Sequence, residues 1–127
     1  MCGIFSILNY DKSDITKDYF IQNFNKGINR GPEYSNLINI DNIYFGFHRL
    51  AINGLDSLSN QPFEDDNIIL ICNGEIYNHR ELRRDIEAAG WPTPWRGYSD
   101  TETLLAALQL WGLASTLPRL NGMFALG

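Results

Sequence analysis

Residues 68–78 read Ile68-Ile69-Leu70-Ile71-Cys72-Asn73-Gly74-Glu75-Ile76-Tyr77-Asn78. An Asn-Gly pair is a common hairpin turn. Here the apolar pattern resumes through Ile76 and Tyr77, so the pair is predicted to kink a strand rather than to end it. An Asn73 amide beside a Gly74 backbone N–H would give two adjacent donors for an oxyanion. Glycine also lets a ligand approach the backbone closely.

A second chemical feature is Cys2, which directly follows Met1. If Met1 is removed, one residue carries both a thiol and a free α-amine. An α-amine titrates near pH ~7.7–8.0, so it can act as the base that activates the thiol. The alternative is a chance cysteine near a chain terminus.

Two charged residues stand where a ligand could bind. Arg49 lies in a stretch of otherwise apolar residues, so its guanidinium either faces solvent or binds a carboxylate in a cleft. Asp100 follows the predicted helix cap Ser99 and is either a partner of the helix dipole or a ligand for an ammonium group. The residues alone leave both alternatives open.

Length and composition exclude several classes of protein. The chain has 127 residues, which is the size of one domain. A net charge of −5 without a basic cluster argues against nucleic acid as a partner. No apolar run approaches ~18 residues, and residues 1–127 show no charged n-region followed by an apolar h-region, so neither a membrane nor secretion is expected.

The cysteines and histidines of the chain indicate neither a disulfide framework nor a metal site. Two cysteines, Cys2 and Cys72, do not form a disulfide framework, and a reducing cytoplasmic location is expected. Cys72, inside an apolar run, is predicted to be a small buried hydrophobe. The two cysteines and two histidines show no ligand spacing, so no metal site is expected.

The order of elements predicts an α+β fold with helices packed on a mostly antiparallel sheet. Strands are predicted at 2–8, 42–52, 67–76 and 123–126, a helix at 14–27, and loops from Arg30-Gly31-Pro32 onward and over 53–61. Two more helices are predicted from capping-box spacing, at Asn78 with Glu81 and at Ser99 with Glu102, and they end at Gly90 and Gly112. The stripe of Leu104, Leu105, Leu108 and Trp111 is predicted to face the core.

Several short motifs occur together in a defined order: Cys2-Gly3-Ile4-Phe5, Arg30-Gly31-Pro32, Arg49-Leu50-Ala51-Ile52, Gln61-Pro62, Asn73-Gly74-Glu75-Ile76-Tyr77-Asn78, Ser99-Asp100-Thr101-Glu102 and Gly122-Met123-Phe124-Ala125. Over essentially the whole chain, this order resembles the N-terminal glutaminase domain of class II glutamine amidotransferases, specifically that of the glutamine-hydrolysing asparagine synthetases. The motif Glu75-Ile76-Tyr77-Asn78 distinguishes the asparagine synthetases from glucosamine-phosphate synthases and purine-pathway amidotransferases.

The resemblance implies a four-layer αββα N-terminal nucleophile hydrolase sandwich of two antiparallel sheets. Cys2 would attack the side-chain amide of L-glutamine, and Asn73 with the Gly74 N–H would stabilise the oxyanion. The substrate carboxylate would bind Arg49 and the backbone of Leu50, Ala51, Ile52 and Asn53. The substrate ammonium group would bind Asp100, with Glu75 nearby.

The resemblance also implies what lies outside residues 1–127. These residues would form an incomplete glutamine amidotransferase domain, truncated at its C-terminal end, with the synthetase domain absent. No cofactor is expected in this domain, since ATP and Mg would bind the synthetase domain and serve the amidation of aspartate there. A homodimer is an open option. The alternative function is a catalytically inert module that binds glutamine or docks on a synthetase.

Overall fold

The computed structural model describes residues 2–8, 17–52, 57–65 and 67–127. Within these ranges the strands are β1 (Gly3–Leu8), β2 (Tyr34–Ile40), β3 (Ile43–Arg49), β4 (Phe63–Asp65), β5 (Ile68–Leu70), β6 (Cys72–Ile76) and β7 (Gly122–Leu126). The helices there are α1 (Lys17–Asn25), α2 (His79–Ala88) and α3 (Asp100–Thr116). Every helix within these ranges is too short or too polar to span a bilayer.

The strands form small antiparallel sheets. One sheet has the order β1-β3-β2, and the others pair β4 with β5 and β6 with β7. In the first sheet Gly3 lies opposite His48, and Tyr34 lies opposite Arg49. The fold is therefore mixed α and β with antiparallel sheets, which agrees with the predicted α+β class.

The pattern of strands differs from the prediction in two places. The residues after Arg30-Gly31-Pro32 were predicted as loop, but 34–40 form β2, which pairs with β3 along its whole length. The predicted strand 67–76 is divided at Ile71 into β5 and β6, which belong to different sheets. Asparagines at 36 and 39 obscure the apolar alternation of β2, so pairing with β3 decides its conformation.

Helix α1 is fixed on the first sheet by aromatic side chains and by His48. Phe20 and Phe24 of α1 are buried, and the His48 ring stacks on Phe24 with 3.9 Å between centroids. His48 Nε2 lies 2.8 Å from the Phe24 carbonyl oxygen, so this nitrogen donates, and Nδ1 accepts from Ser35 Oγ at 2.6 Å. The first residues of the helix predicted at 14–27, residues 14–16, lie outside the described residues.

The two predicted capping boxes differ in outcome. Ser99 caps α3, because its Oγ accepts the Thr101 N–H at 3.2 Å. Glu102 does not complete the box: its carboxylate accepts the Arg96 and Gly97 N–H groups at 2.6 and 3.0 Å. The prediction that Asn78 caps α2 through its side chain is wrong.

The Asn78 side chain instead bridges to the chain segment before β7. Its Nδ2 donates to the Arg119 carbonyl oxygen at 2.9 Å, and its Oδ1 accepts the Asn121 N–H at 2.8 Å. A long-range contact of this kind satisfies two backbone groups at once, which a local cap cannot do. Asn78 therefore holds the start of β7 beside the end of β6.

The predicted helix ends are partly confirmed. Gly90, with φ of 87°, follows the end of α2 as expected. Gly112, with φ of 71°, breaks α3, but helical turns resume as far as Thr116. The buried Thr116 hydroxyl donates to the Ala107 carbonyl oxygen at 3.0 Å and so connects the two sides of the break.

The core lies between the sheets and the two C-terminal helices. One cluster of buried residues consists of Phe63, Leu70, Cys72, Leu104 and Leu105, with Leu108 packed against it. A second cluster joins α2 to α3 through Ile86, Ala106 and Ala107, and Trp111 packs against that one. The predicted apolar stripe of α3 is thus core, and Cys72 is a buried hydrophobe as predicted.

We expect Gly31→Ala to destabilise the fold by roughly 1–3 kcal/mol, the usual cost of forcing extra atoms into a packed site. A Cβ at Gly31 would overlap the backbone of His48 and Arg49. Urea unfolding measures the loss. The matched control is Gly3→Ala, whose Cβ would lie 3.4 Å from the Arg30 Cβ, an ordinary contact. Equal stabilities for the two variants would contradict this packing.

Candidate active site

A cavity of about 270 Å³ lies where β3, β6 and the start of α3 meet. The predicted site residues that line it are Cys2, Arg49, Ile52, Asn73, Gly74, Glu75 and Asp100. These residues come from separate parts of the chain, so the fold brings together a set that is dispersed in the sequence.

The segment 50–53 contributes to the site unevenly. Ile52 lines the cavity, and the Leu50 backbone contacts the Cys2 thiol. The Ala51 N–H donates to the Glu33 carboxylate, so in this structure that amide has a protein partner. Asn53 lies outside the described residues.

Cys2 is held at the edge of the cavity by backbone contacts. The Leu50 N–H lies 3.4 Å from Sγ, and Sγ lies 3.4 Å from the Leu50 carbonyl oxygen. Arg30 Nε donates to the Cys2 carbonyl oxygen at 3.2 Å. The Cys2 thiol thus both donates to and accepts from the Leu50 backbone, which fixes the position of the sulfur.

Asn73 and Gly74 lie in the middle of β6, so the prediction that Asn-Gly does not end the strand is confirmed. Asn73 lies opposite Ala125, and Gly74 lies opposite Phe124. A Cβ at Gly74, whose φ is 151°, would overlap the Met123 carbonyl oxygen, so only glycine fits where β7 passes. Both residues line the cavity from β6.

The hydrogen-bond alternation of the β6–β7 pair determines where the Gly74 N–H points. Ile71 exchanges both backbone bonds with Gly127 at 3.0 Å, and Tyr77 donates to the Asn121 carbonyl oxygen at 2.7 Å. In an antiparallel pair the intervening residues of opposite parity direct their N–H groups away from the partner strand. Gly74 has that parity, so its N–H points from β7 toward the cavity side.

The acceptor oxygen of the Asn73 side chain is available to a hydrogen-bond donor. Asn73 Oδ1 is a buried side-chain atom that has no hydrogen-bond partner among the described residues. A buried polar atom without a partner costs free energy unless something binds it. This acceptor on the wall of the cavity is suited to an N–H or O–H donor of a polar ligand.

Arg49 and Asp100 place opposite charges on the cavity. Arg49 is only 7% exposed and donates from Nη1 to Asn60 Oδ1 at 2.6 Å, so it faces the cleft rather than solvent. Asp100, also 7% exposed, accepts the Ile76 N–H at 2.8 Å through Oδ2. Its Oδ1 accepts the Thr101 N–H at 3.0 Å. The carboxylate therefore ties β6 to α3 while lining the cavity.

The start of α3 is anchored from α2 by Arg83. This guanidinium donates to the carbonyl oxygens of Gly97 at 2.9 Å and Ser99 at 3.4 Å, and lies 3.6 Å from the Glu102 carboxylate. It also stacks 4.0 Å above the Trp95 ring. Burial lowers the pKa of Arg83, although the Glu102 charge opposes this. These contacts fix the loop that delivers Asp100 to the cavity.

The second cysteine is chemically different from the first. Burial raises the pKa of the Cys72 thiol from its ordinary value of 9.0 to about 12, and the Asp100 charge adds to the effect. Cys72 therefore remains protonated at neutral pH, and a protonated thiol is a poor nucleophile. Burial also lowers the pKa of His79, whose Nδ1 is buried without a partner among the described residues.

Several residues that line the cavity had no role assigned from the sequence: Phe47, Ser59, Gln61, Thr101 and Met123. Gln61, Thr101 and Met123 were noted only as parts of short motifs. A buried polar residue in a loop carries no local pattern that reveals its contacts, so three-dimensional structure was needed to find them.

The chain matches a known family. The glutamine amidotransferase domain family is matched over residues 1–127. Asparagine synthetase [glutamine-hydrolyzing] 1 of Bacillus subtilis is 36% identical over 98% of this chain and 20% of the relative. A probable asparagine synthetase [glutamine-hydrolyzing] of Dictyostelium discoideum is 36% identical over 83% of this chain and 19% of the relative. One of Acanthamoeba polyphaga mimivirus is 34% identical over 98% of this chain and 23% of the relative.

The chain thus spans about a fifth of the length of the curated relatives that it matches.

We expect the free energy of unfolding to fall as pH rises from 9 toward 12, because the folded state holds the Cys72 thiol protonated. When the pKa of a thiol is higher in the folded state than in the unfolded state, its contribution to stability is fully present at pH values below the unfolded-state pKa. That contribution is lost as the pH rises through the folded-state pKa. Urea unfolding between about pH 8 and about pH 11 measures this loss. In Cys72→Ala that part of the pH dependence should disappear; parallel curves for the two proteins would contradict the assignment.

Proposed function

The chain belongs to the glutamine amidotransferase domain family, and from that premise we propose that it hydrolyses L-glutamine to glutamate and ammonia with Cys2 as the nucleophile. One observation carries the proposal. Cys2, the Asn73-Gly74 pair, Arg49 and Asp100 line a single cavity of about 270 Å³. A thiol, two donors for an oxyanion and two opposite charges around one cavity are the groups that an amino-acid amide requires.

The two charges would orient the substrate. The Arg49 guanidinium suits the α-carboxylate, because its planar donors match a carboxylate in two places. Asp100 suits the α-ammonium group, with Glu75 on the same cavity. Binding both ends of the amino-acid backbone leaves the side-chain amide to reach Cys2. Holding the reacting atoms in this way removes much of the entropic cost of the reaction.

The chemical steps follow from the groups present. The Cys2 sulfur attacks the side-chain amide carbon, and the carbonyl oxygen becomes an oxyanion bound by the Asn73 amide and the Gly74 N–H. The tetrahedral intermediate expels ammonia, which takes a proton, and leaves a γ-glutamyl thioester. Water then attacks the thioester carbon, and cleavage of the C–S bond releases glutamate and restores the thiol.

Proton transfer would be carried out by the α-amine that Cys2 gains when Met1 is removed. The amine accepts the thiol proton as sulfur attacks and passes it to the departing nitrogen. This arrangement needs no histidine in the cavity. It agrees with His48, whose two ring nitrogens are engaged by Ser35 and by the Phe24 carbonyl oxygen.

The wider protein forms part of the same proposal. The relatives are named as asparagine synthetases that hydrolyse glutamine. We infer that ammonia from this site is used to amidate aspartate in a synthetase domain that binds ATP and Mg. Residues 1–127 would be the N-terminal part of a four-layer αββα sandwich of the N-terminal nucleophile hydrolase type. Glutamine binding without turnover is the less favoured alternative, since the relatives' names state hydrolysis.

Labelling tests the nucleophile directly. Intact mass spectrometry before and after treatment with a diazo-ketone analogue of glutamine should show loss of Met1 and addition of one analogue. The analogue reacts where a thiolate meets a bound glutamine-like group, so we expect modification of Cys2 alone.

The control for labelling is Cys2→Ala, which retains Cys72 and should remain unmodified. Excess L-glutamine should slow labelling of the unaltered chain by occupying the cavity. Ammonia release is measured on the same samples. A chain that lacks Met1 but gains no adduct and releases no ammonia would contradict the proposed activity.

We expect Asn73→Ala to lower kcat by about 10²–10³-fold, or ~2.7–4 kcal/mol of transition-state stabilisation, the usual loss for one oxyanion donor. KM should change little, because the amide acts mainly on the charge that develops during reaction. Asn23→Ala, on helix α1, is the control and should keep its kcat. If both variants retain normal turnover, Asn73 has no role in the reaction.

A further inference from the structure

Gln61 makes an unusual set of contacts for a residue in a loop. It is only 6% exposed, and its Oε1 accepts the Cys72 N–H at 2.6 Å. Its Nε2 donates to the Cys72 carbonyl oxygen at 3.1 Å and lies 3.4 Å from Thr101 Oγ1. One side-chain amide thus satisfies both backbone groups of Cys72 and reaches the first turn of α3.

These contacts fall on the edge of β6 that faces away from β7. Along that edge, the backbone of Cys72 is paired with Gln61 and the Ile76 N–H with Asp100. Gly74 lies midway between these two fixed points. The Gln61 amide therefore takes the place that a neighbouring strand would occupy, at the residue directly before Asn73.

The position of this contact connects it to the reaction. The Cys72 carbonyl and the Asn73 N–H belong to the same planar peptide unit. A hydrogen bond that fixes this carbonyl therefore also fixes the plane of the peptide that leads into Asn73 and Gly74. Through Thr101, the same side chain also fixes β6 relative to Asp100, the neighbouring residue on α3.

We propose that Gln61 is a positioning residue of the glutamine site, which sets the placement of the oxyanion donors Asn73 and Gly74 relative to Asp100. The inference rests on the proposed hydrolysis of glutamine. Gln61 lines the same cavity as these groups, but it acts by bonding to the backbone of β6.

The test is the kinetics of glutamine hydrolysis by Gln61→Met, which keeps the length of the side chain and loses all of its hydrogen bonds. We expect kcat to fall by about 100-fold, since a displacement near 1 Å in a site costs about that much. KM should change by less than about threefold, because the binding groups Arg49 and Asp100 remain. The fraction of competent molecules is measured by labelling with the diazo-ketone analogue.

Ile86→Val is the matched control for general destabilisation. Ile86 is fully buried in the cluster between α2 and α3, away from the cavity lining. It should lower the melting temperature while leaving kcat per competent molecule unchanged. A Gln61→Met chain with the kcat of this control would overturn the positioning role.

A second variant decides the question if Gln61→Met does not fold. Gln61→Glu keeps the acceptor for the Cys72 N–H and loses the two donated bonds, so we expect a kcat at least about tenfold lower at neutral pH. A normal kcat would overturn the inference.

If the unaltered chain neither hydrolyses glutamine nor takes the label, the proposed function fails and this inference fails with it. If the unaltered chain is active, the variants test Gln61 alone.

Discussion

The antiparallel pairing of β6 with β7 is the constraint on which the rest of the site depends. It uses the backbone of alternate residues, as the bonds of Ile71 and Tyr77 on either side of β6 show, and leaves the opposite edge of β6 to be satisfied by other groups. The side chains of Gln61, in a loop, and Asp100, at the start of α3, accept two backbone N–H groups on that edge. The cavity forms along this edge because two side chains cannot cover as much backbone as a further strand would.

The remaining elements supply groups to that edge. Strand β3 carries Arg49 and, through the turn after it, the Leu50 backbone that contacts the Cys2 sulfur. Helix α3 delivers Asp100, and the Arg83 and Glu102 side chains hold the loop that precedes it. Arg49 and Asp100 are each held by a partner that does not line the cavity, Asn60 and the Ile76 N–H, so these two charges are positioned before a ligand enters.

The sequence allowed features with a local pattern to be predicted more fully than features that depend on distant residues. The Asn73-Gly74 pair was predicted within a strand because apolar residues continue past it, and Ser99 was predicted as a cap from its spacing. Strand β2 and the contacts of Asn78 and Gln61 were not predicted. Each of these depends on residues distant in the chain: β2 on pairing with β3, Asn78 on the segment before β7, and Gln61 on Cys72. Local patterns contain no information about such partners.

The cavity has one wall, at Gly74, that does not tolerate substitution, and a rim whose residues can be exchanged. No larger residue fits beside the Met123 carbonyl oxygen, so protein engineering cannot reshape the wall that carries the oxyanion donors. Ile52 and Met123 also border the cavity, but they are 55% and 68% exposed, and substitutions at exposed positions cost little stability. Libraries aimed at accepting other amides would therefore randomise these two positions and leave β6 unchanged.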